Sequence, residues 1–322
     1  MEKELRLEDV ALLSPTKTRD GVHVYSPDLK SVSAFGLQWE EFSQVQLDSR
    51  NGFRISEERL NRVLGEDLDY FSGKLVLEVG CGCGRFTEIM LKYGARVVCV
   101  DASSAIYACK KNIGSRQDVL FIQGDALNLP LRRGIFDIVV CLGVIQHTKL
   151  PEKMIKECFS FAKVGGSLLF DQYRFALPTL LRTTWLVRPI LKRLSPAKGI
   201  KVTDKMVEFF LPIHKKLTGK PVVEKLLFRV SPITAHYSSI PQLSESEQIQ
   251  WARLNTHDNL TDYYKRLTWK AQLRKRILGL GNYFSKVRIL PYTFEVRLDK
   301  VKSEVPLIYF SNRFNSRDVN SA

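Results

Sequence analysis

The 322 residues contain no stretch approaching the roughly 20 consecutive apolar residues that cross a bilayer. The start, Met1-Glu2-Lys3-Glu4-Leu5-Arg6, is charged and has no apolar h-region, so no secretory leader and a cytoplasmic location are expected. Cysteine is sparse: Cys81, Cys83, Cys99, Cys109, Cys141 and Cys158. The first pair is spaced C-x-C and no matching His/Cys pair follows, which excludes a disulfide framework or a zinc-ribbon spacing. Buried thiols and no metal are expected. No internal repeat or low-complexity tract appears. Acidic residues thin out after Tyr173: residues 174–235 hold 13 basic against 3 acidic. Residues 1–173 carry a net −1 and residues 236–322 a net +6, within a total of +15. The abrupt change marks a boundary and suggests a surface that meets anions.

Apolar residues make up 44% of the chain, enough to bury a core without staples. Residues 1–30 read as polar and irregular, and Phe35, Trp39 and Phe42 as an aromatic cluster before a helix from Ser56 to Leu64. From Lys74 to Phe170, short apolar runs alternate with helical stretches. The runs are 75–79, 95–100, 119–122, 136–141 and 167–170; the helices are 85–93, 103–112 and 151–162. That rhythm predicts a mostly parallel sheet covered on both faces. Residues 174–256 break it with three basic amphipathic helices, 177–194, 204–217 and 222–230, with Pro189 kinking or splitting the first. A helix over 268–278 and strands at 287–290 and 293–298 then complete the sheet.

The densest chemistry lies in Leu77-Glu78-Val79-Gly80-Cys81-Gly82-Cys83-Gly84-Arg85-Phe86. The three glycines let a backbone turn sharply and approach a ligand, and the following helix start offers N–H groups to an anion. Asp101 ends the next strand, where an acid can take both hydroxyls of a ribose. Asp125, in Gln123-Gly124-Asp125-Ala126, ends the third; it suits an adenine amine or an Asx-turn. Three such strand ends describe a nucleoside cleft at the carboxyl edge of the sheet.

These pieces resemble the class I S-adenosylmethionine-dependent methyltransferases, close to the type 11 group. Val76-Leu77-Glu78-Val79-Gly80-Cys81-Gly82-Cys83-Gly84-Arg85-Phe86, Val98-Cys99-Val100-Asp101, Gly124-Asp125-Ala126, Phe136-Asp137-Ile138-Val139, Gly143-Val144-Ile145-Gln146-His147-Thr148 and Gly165-Gly166-Ser167-Leu168 carry the likeness across residues 74–170. Phe35-Gly36-Leu37-Gln38-Trp39 with Gln46-Leu47-Asp48-Ser49, and Leu254-Asn255-Thr256-His257-Asp258 through Tyr264, resemble a bacterial subgroup. That subgroup usually has an aromatic where His257 stands and a proline where Asp262 stands. The resemblance implies a Rossmann-like seven-stranded sheet with a helical insert before its last two strands. The expected units are 1–70 as a cap, 71–173 as the cofactor core, 174–256 as a basic lid or acceptor region, 257–311 as the completion of the sheet and 312–322 as a tail.

It also implies S-adenosylmethionine as cofactor. Glu78, Gly80, Cys81, Gly82 and Gly84 would shape its methionine and ribose side. Asp101 and Ala102 would hold the ribose, Asp125 and Ala126 the adenine. Leu142, Gly143 and Gln146 would line the sulfonium side, with Trp39 either closing over the cofactor or packing in the core. His147 is a candidate general base, since its ordinary pKa of about 6.5 suits that task; its bland alternative is a loop-holding turn residue. Tyr173 is a second candidate, with burial as its alternative. The expected acceptor is a small molecule, a glycan or a lipid-linked compound. The basic insert suggests an anionic membrane as a contact, and no nucleic-acid module is visible. Two rival classes are a nicotinamide-dependent oxidoreductase and a non-catalytic binder of the same cofactor.

Overall fold

The structure, a computed structural model, describes residues 4–26, 33–176, 182–262, 264–301 and 307–311. A short helix α1 (Leu7–Val10) precedes a hairpin of β1 (Lys17–Arg19) and β2 (Val22–Val24). Asp20 and Gly21 close it at φ of 51° and 73°, the two positive values that a tight two-residue hairpin turn demands. The expectation of an irregular start is therefore corrected. Helices α2 (Ser33–Glu41), α3 (Asp48–Asn51) and α4 (Ile55–Leu64) follow. Asp48 starts α4 from outside it, accepting the Ser56 and Glu57 N–H groups at 3.0 and 2.9 Å.

The apolar runs become β3 (Leu75–Val79), β4 (Arg96–Asp101), β5 (Val119–Gln123), β6 (Phe136–Cys141) and β7 (Ala162–Tyr173). Between them lie α5 (Thr87–Lys92), α6 (Ala105–Ile113) and α7 (Pro151–Phe161). Helix α5 begins two residues later than the expected Arg85. The basic region forms α8 (Thr184–Leu191), α9 (Pro196–Leu217) and α10 (Pro221–Val230). Pro189 sits inside α8 without splitting it. Helix α9 starts eight residues before the expected Asp204, because Pro196 occupies its first turn, where no N–H is needed. Residues 177–181 of the expected first helix lie outside the described residues.

Helix α11 (Glu245–Thr261) opens on a reciprocal cap between Ser244 and Glu247 and runs through the expected boundary at 256. Helix α12 (Lys270–Leu278), β8 (Tyr283–Ile289), β9 (Thr293–Lys300) and β10 (Leu307–Ser311) complete the fold. The expected tail, 312–322, lies outside the described residues.

The sheet order is β1-β2-β5-β4-β3-β6-β7-β9-β8-β10. Ten strands replace the expected seven: the seven from β5 to β8 form the expected centre, the hairpin extends one edge and β10 the other. Pairing is parallel from β2 to β7, and β9 lies antiparallel between β7 and β8. One face packs Leu60, Leu64, Phe71, Met90 and Ile106; the other packs Ile155, Phe159, Leu273 and Ile277. Both faces are thus buried, which is why the central strands read as continuous apolar runs. All six cysteines are buried and unpaired. Among the described residues no helix is long and apolar enough to cross a membrane.

Candidate functional site

A cavity of about 700 Å³ follows the carboxyl edge of the sheet from β5 to the start of β9. At its centre β3 runs out into Gly80, whose φ is 75°. A Cβ there would collide with the Val144 side chain. At Gly82 a Cβ would stand 3.1 Å from the Trp39 indole nitrogen, so the ring of Trp39 lies against the turn. Only a turn without side chains fits between these two neighbours. It is pinned to β4: Gly80 N–H donates to the Val100 carbonyl at 2.7 Å and Gly82 N–H to Asp101 Oδ2 at 3.0 Å.

Asp101 Oδ1 accepts from the Ser103 N–H and hydroxyl at 2.9 and 2.7 Å, and Ser103 Oγ accepts from Ala105 N–H at 3.2 Å. Asp125 Oδ1 accepts from Leu127 N–H at 3.0 Å and Oδ2 from Asn128 Nδ2 at 3.1 Å. Asp125 is therefore an Asx-turn residue that also lines the cavity.

Toward β7 the wall changes character. His147 is buried, with the ring of Phe35 5.1 Å away and that of Tyr173 5.6 Å away, both edge to face. Its Nδ1 lies 3.2 Å from the Tyr264 carbonyl and 3.1 Å from Asp262 Oδ2, the latter outside hydrogen-bond alignment. Two acceptors at Nδ1 place the proton of the neutral ring there and leave Nε2 as the basic nitrogen. Burial is the largest single influence and lowers the His147 pKa, but the Asp262 and Asp258 carboxylates together outweigh it and the net shift is upward. Burial and the neighbouring Asp262 push Asp258 up to about 6. Burial also raises the Tyr173 phenol well above its ordinary value, so Tyr173 can donate a hydrogen bond but is no base at neutral pH.

The ligand atoms of His147, Asp258 and Asp262 lie within 4.8 Å of one another, as do those of Cys81, Cys99 and Cys109. Beside the first group, Arg188 Nη1 stands 3.7 Å from Asp262 Oδ2, and the buried Lys265 ammonium adds a second positive charge. Two cations already balance the two carboxylates there.

Arginines of α4 and of the glycine turn supply further charge. Arg59 pairs with Asp171, which is fully buried. Arg62 holds Glu295 through three contacts of 2.8 to 3.1 Å. Arg85 donates to Gln46 Oε1 at 2.7 Å and to Ser56 Oγ at 3.1 Å; burial and the Arg59 charge lower it to about 10.

Trp39, Gly80, Cys81, Gly82, Asp101, Ala102, Asp125, Ala126, Leu142, Gly143, Gln146, His147 and Tyr173 all line this one cavity. Glu78 and Gly84 lie outside this lining, behind the turn. Glu78 lies behind the turn, 2% exposed, and accepts from Thr87 Oγ1 at 2.5 Å. A Cβ on Gly84 would stand 3.0 Å from the Cys109 sulfur, so this glycine lets α6 approach. Arg59, Arg62 and Glu295 line the cavity without having been singled out, as do Arg85 and Asp258, which were quoted within motifs but given no role. The available signals were Arg59 and Arg62 three apart on one helix, and Asp258 and Asp262 four apart near the end of another.

Residues 77–170 match the family described as "Methyltransferase domain". The ubiquinone biosynthesis O-methyltransferase of Coxiella burnetii (strain RSA 493 / Nine Mile phase I) is 36% identical over 108 residues, 31% of this chain and 43% of that protein. The chain thus matches under half the length of this relative. The protein of the same name from Pseudomonas fluorescens (strain Pf0-1) is 26% identical over 230 residues, 67% of this chain and 91% of its own. Among solved structures, magnesium protoporphyrin IX methyltransferase from Synechocystis PCC 6803, with bound SAH, is similar at a TM-score of 0.45 and 14% identity, covering 84% of this chain and 96% of that one. The PH0226 protein from Pyrococcus horikoshii OT3 is similar at a TM-score of 0.43 and 19% identity, covering 76% and 87%.

Proposed function

We propose that residues 77–170, which match a methyltransferase domain, bind S-adenosylmethionine in the class I manner, and that the whole chain methylates an oxygen of a small-molecule, glycan or lipid-linked acceptor. The observation that carries this reading is the continuity of one cavity from the glycine turn to the buried His147. The turn suits an adenosyl compound: a Cβ at Gly80 or Gly82 would fill the space beside Val144 or Trp39, and Asp101 stands at the adjacent strand end. When bound, the cofactor supplies a methyl group on a sulfonium, a leaving group that needs no protonation.

The chain's own residues then have three tasks. Gly80, Gly82, Asp101 and Asp125 hold the adenosyl end at β3 to β5. Arg59 and Arg85, beside the turn, offer charge to a carboxylate. At the β6 and β7 end, His147 Nε2 takes the proton of the acceptor hydroxyl while Asp262 steadies the imidazolium that forms. Alignment within the cavity supplies the rest, up to roughly 7–11 kcal/mol of the barrier. Oxygen is favoured over nitrogen or carbon because the curated relatives are named for O-methylation and because a hydroxyl needs such a base.

The test is a methyl-labelled turnover assay on hydroxyl acceptors, run beside calorimetry with S-adenosylhomocysteine and with NADH. Heat with the homocysteine compound and label in an ether product are expected. Folded protein that binds NADH and ignores the adenosyl compound would overturn the assignment. Binding without turnover on any acceptor would leave a non-catalytic module.

A further inference from the structure

The outermost helices expose apolar side chains that nothing among the described residues covers. Helix α10 has no buried residue. Its Val222, Leu226 and Val230, 82%, 57% and 51% exposed, recur every four positions and form one stripe. On α9, Val207 and Leu211 face the interior. At about 100° per residue the opposite side holds Lys198, Lys201, Lys205, Phe209, Ile213 and Lys216, all exposed. Helix α8 adds Leu186 and Ile190, 76% and 66% exposed.

Acid is nearly absent from this face. Asp204 is paired with Arg253 at 3.0 Å, and Glu224 caps Gly219 N–H at 2.6 Å, which leaves Glu208. Among the described residues, Lys215 is the one lysine of α9 in an ion pair, with Glu245 at 2.9 Å. Bulky apolar side chains standing among unpaired cations are what a helix lying in a lipid headgroup region presents. The charge selects the occupant. A second copy of the chain would set one strongly basic face against another, whereas an anionic bilayer complements it. The position is apt too: α8 and α9 pack on α11, whose Leu254, Asn255 and Asp258 line the cavity.

We propose that the outer face of α8, α9 and α10 docks the protein on anionic lipid bilayers. Docking itself stands apart from the methyl-transfer reading; only its use, to reach a membrane-held acceptor, rests on that reading.

Vesicle flotation of the full chain tests it, with phosphatidylcholine alone against phosphatidylcholine mixed with phosphatidylglycerol. Binding to the mixed vesicles, weakening as salt rises, is expected. Lys198→Gln, Lys201→Gln and Lys205→Gln together should weaken binding by roughly five-fold per lysine. Val222→Asp with Leu226→Asp should weaken it roughly ten-fold or more by removing the apolar anchors. Both variants alter exposed positions and should keep the parent's circular dichroism and S-adenosylhomocysteine affinity, so failure to dock and failure to bind cofactor are read separately. No binding to mixed vesicles, equal binding to both kinds, or full binding by either variant would overturn the proposal. So would a concentration-dependent dimer that Leu226→Asp dissolves, which would give the face to a second copy.

Discussion

Asp171 Oδ1 accepts the Gly143 N–H at 2.7 Å, which ties the end of β7 to the loop after β6. Its other oxygen pairs with Arg59 of α4. One buried carboxylate therefore ties both the loop beside β6 and helix α4 to β7.

Removing one partner should cost more than removing both. Arg59→Ala leaves a fully buried carboxylate uncompensated and should lower unfolding free energy by about 3–5 kcal/mol. Asp171→Asn with Arg59→Ala should cost less than the two single changes summed. Urea unfolding of the four proteins measures the cycle. Strict additivity would show that the pair carries no coupling.

Activity should rise with pH along a limb set by His147, because only the neutral ring accepts a proton. Since Asp262 raises that group on balance, the midpoint should lie above the ordinary value of about 6.5. Asp262→Asn should move the limb to lower pH. His147→Asn should cut kcat by roughly 10²–10⁴ while homocysteine-compound affinity holds. A profile unmoved by Asp262→Asn would remove His147 from the chemistry.

Burial raises the Glu78 pKa well above its ordinary 4.5 and so favours the neutral carboxyl. Between the unfolded value and that raised value the folded state binds the extra proton, so stability falls as pH rises. Glu78→Gln keeps the neutral shape and should flatten this slope, gaining on the parent above about pH 4.5. Melting temperatures across pH check the sign; parallel curves for the two proteins would refute it.

Gly80→Ala should cost about 1–3 kcal/mol, since φ of 75° strains any side chain and the new methyl meets Val144. Adenosyl binding should fall with it, as read by calorimetry on protein shown to be folded. Gly84→Ala should spare binding more, because its methyl presses on Cys109 behind the cavity.

The glycine-turn end of the cavity was legible because its parts are local: a strand, a turn and an acid recur within about fifty residues, from Leu75 to Gly124. The far end was not, because Arg59, Asp171, Asp258 and Asp262 meet only through the fold. Asp262 is the sharpest case. It stands where the resembling subgroup has proline, and it supplies the counter-charge of His147. The side on which Glu78 lies was not legible either, since an acid next to a glycine turn reads alike whether it faces the cavity or lies behind it. The first hairpin escaped because three-residue strands show barely one alternation, leaving Asp20-Gly21 as the sole hint. Amphipathic periodicity and an excess of basic residues located the outer helices, but their bounds shifted where Pro196 could start a helix earlier.

The end strand β1 has a quieter effect. It presents Lys17, Thr18 and Arg19, all exposed, over three residues. A row of open backbone groups invites another chain to add on, and brevity with two like charges discourages it. The ten-stranded sheet thus terminates at this margin in a stretch ill-suited to templating fibrils, which should help concentrated protein stay dispersed.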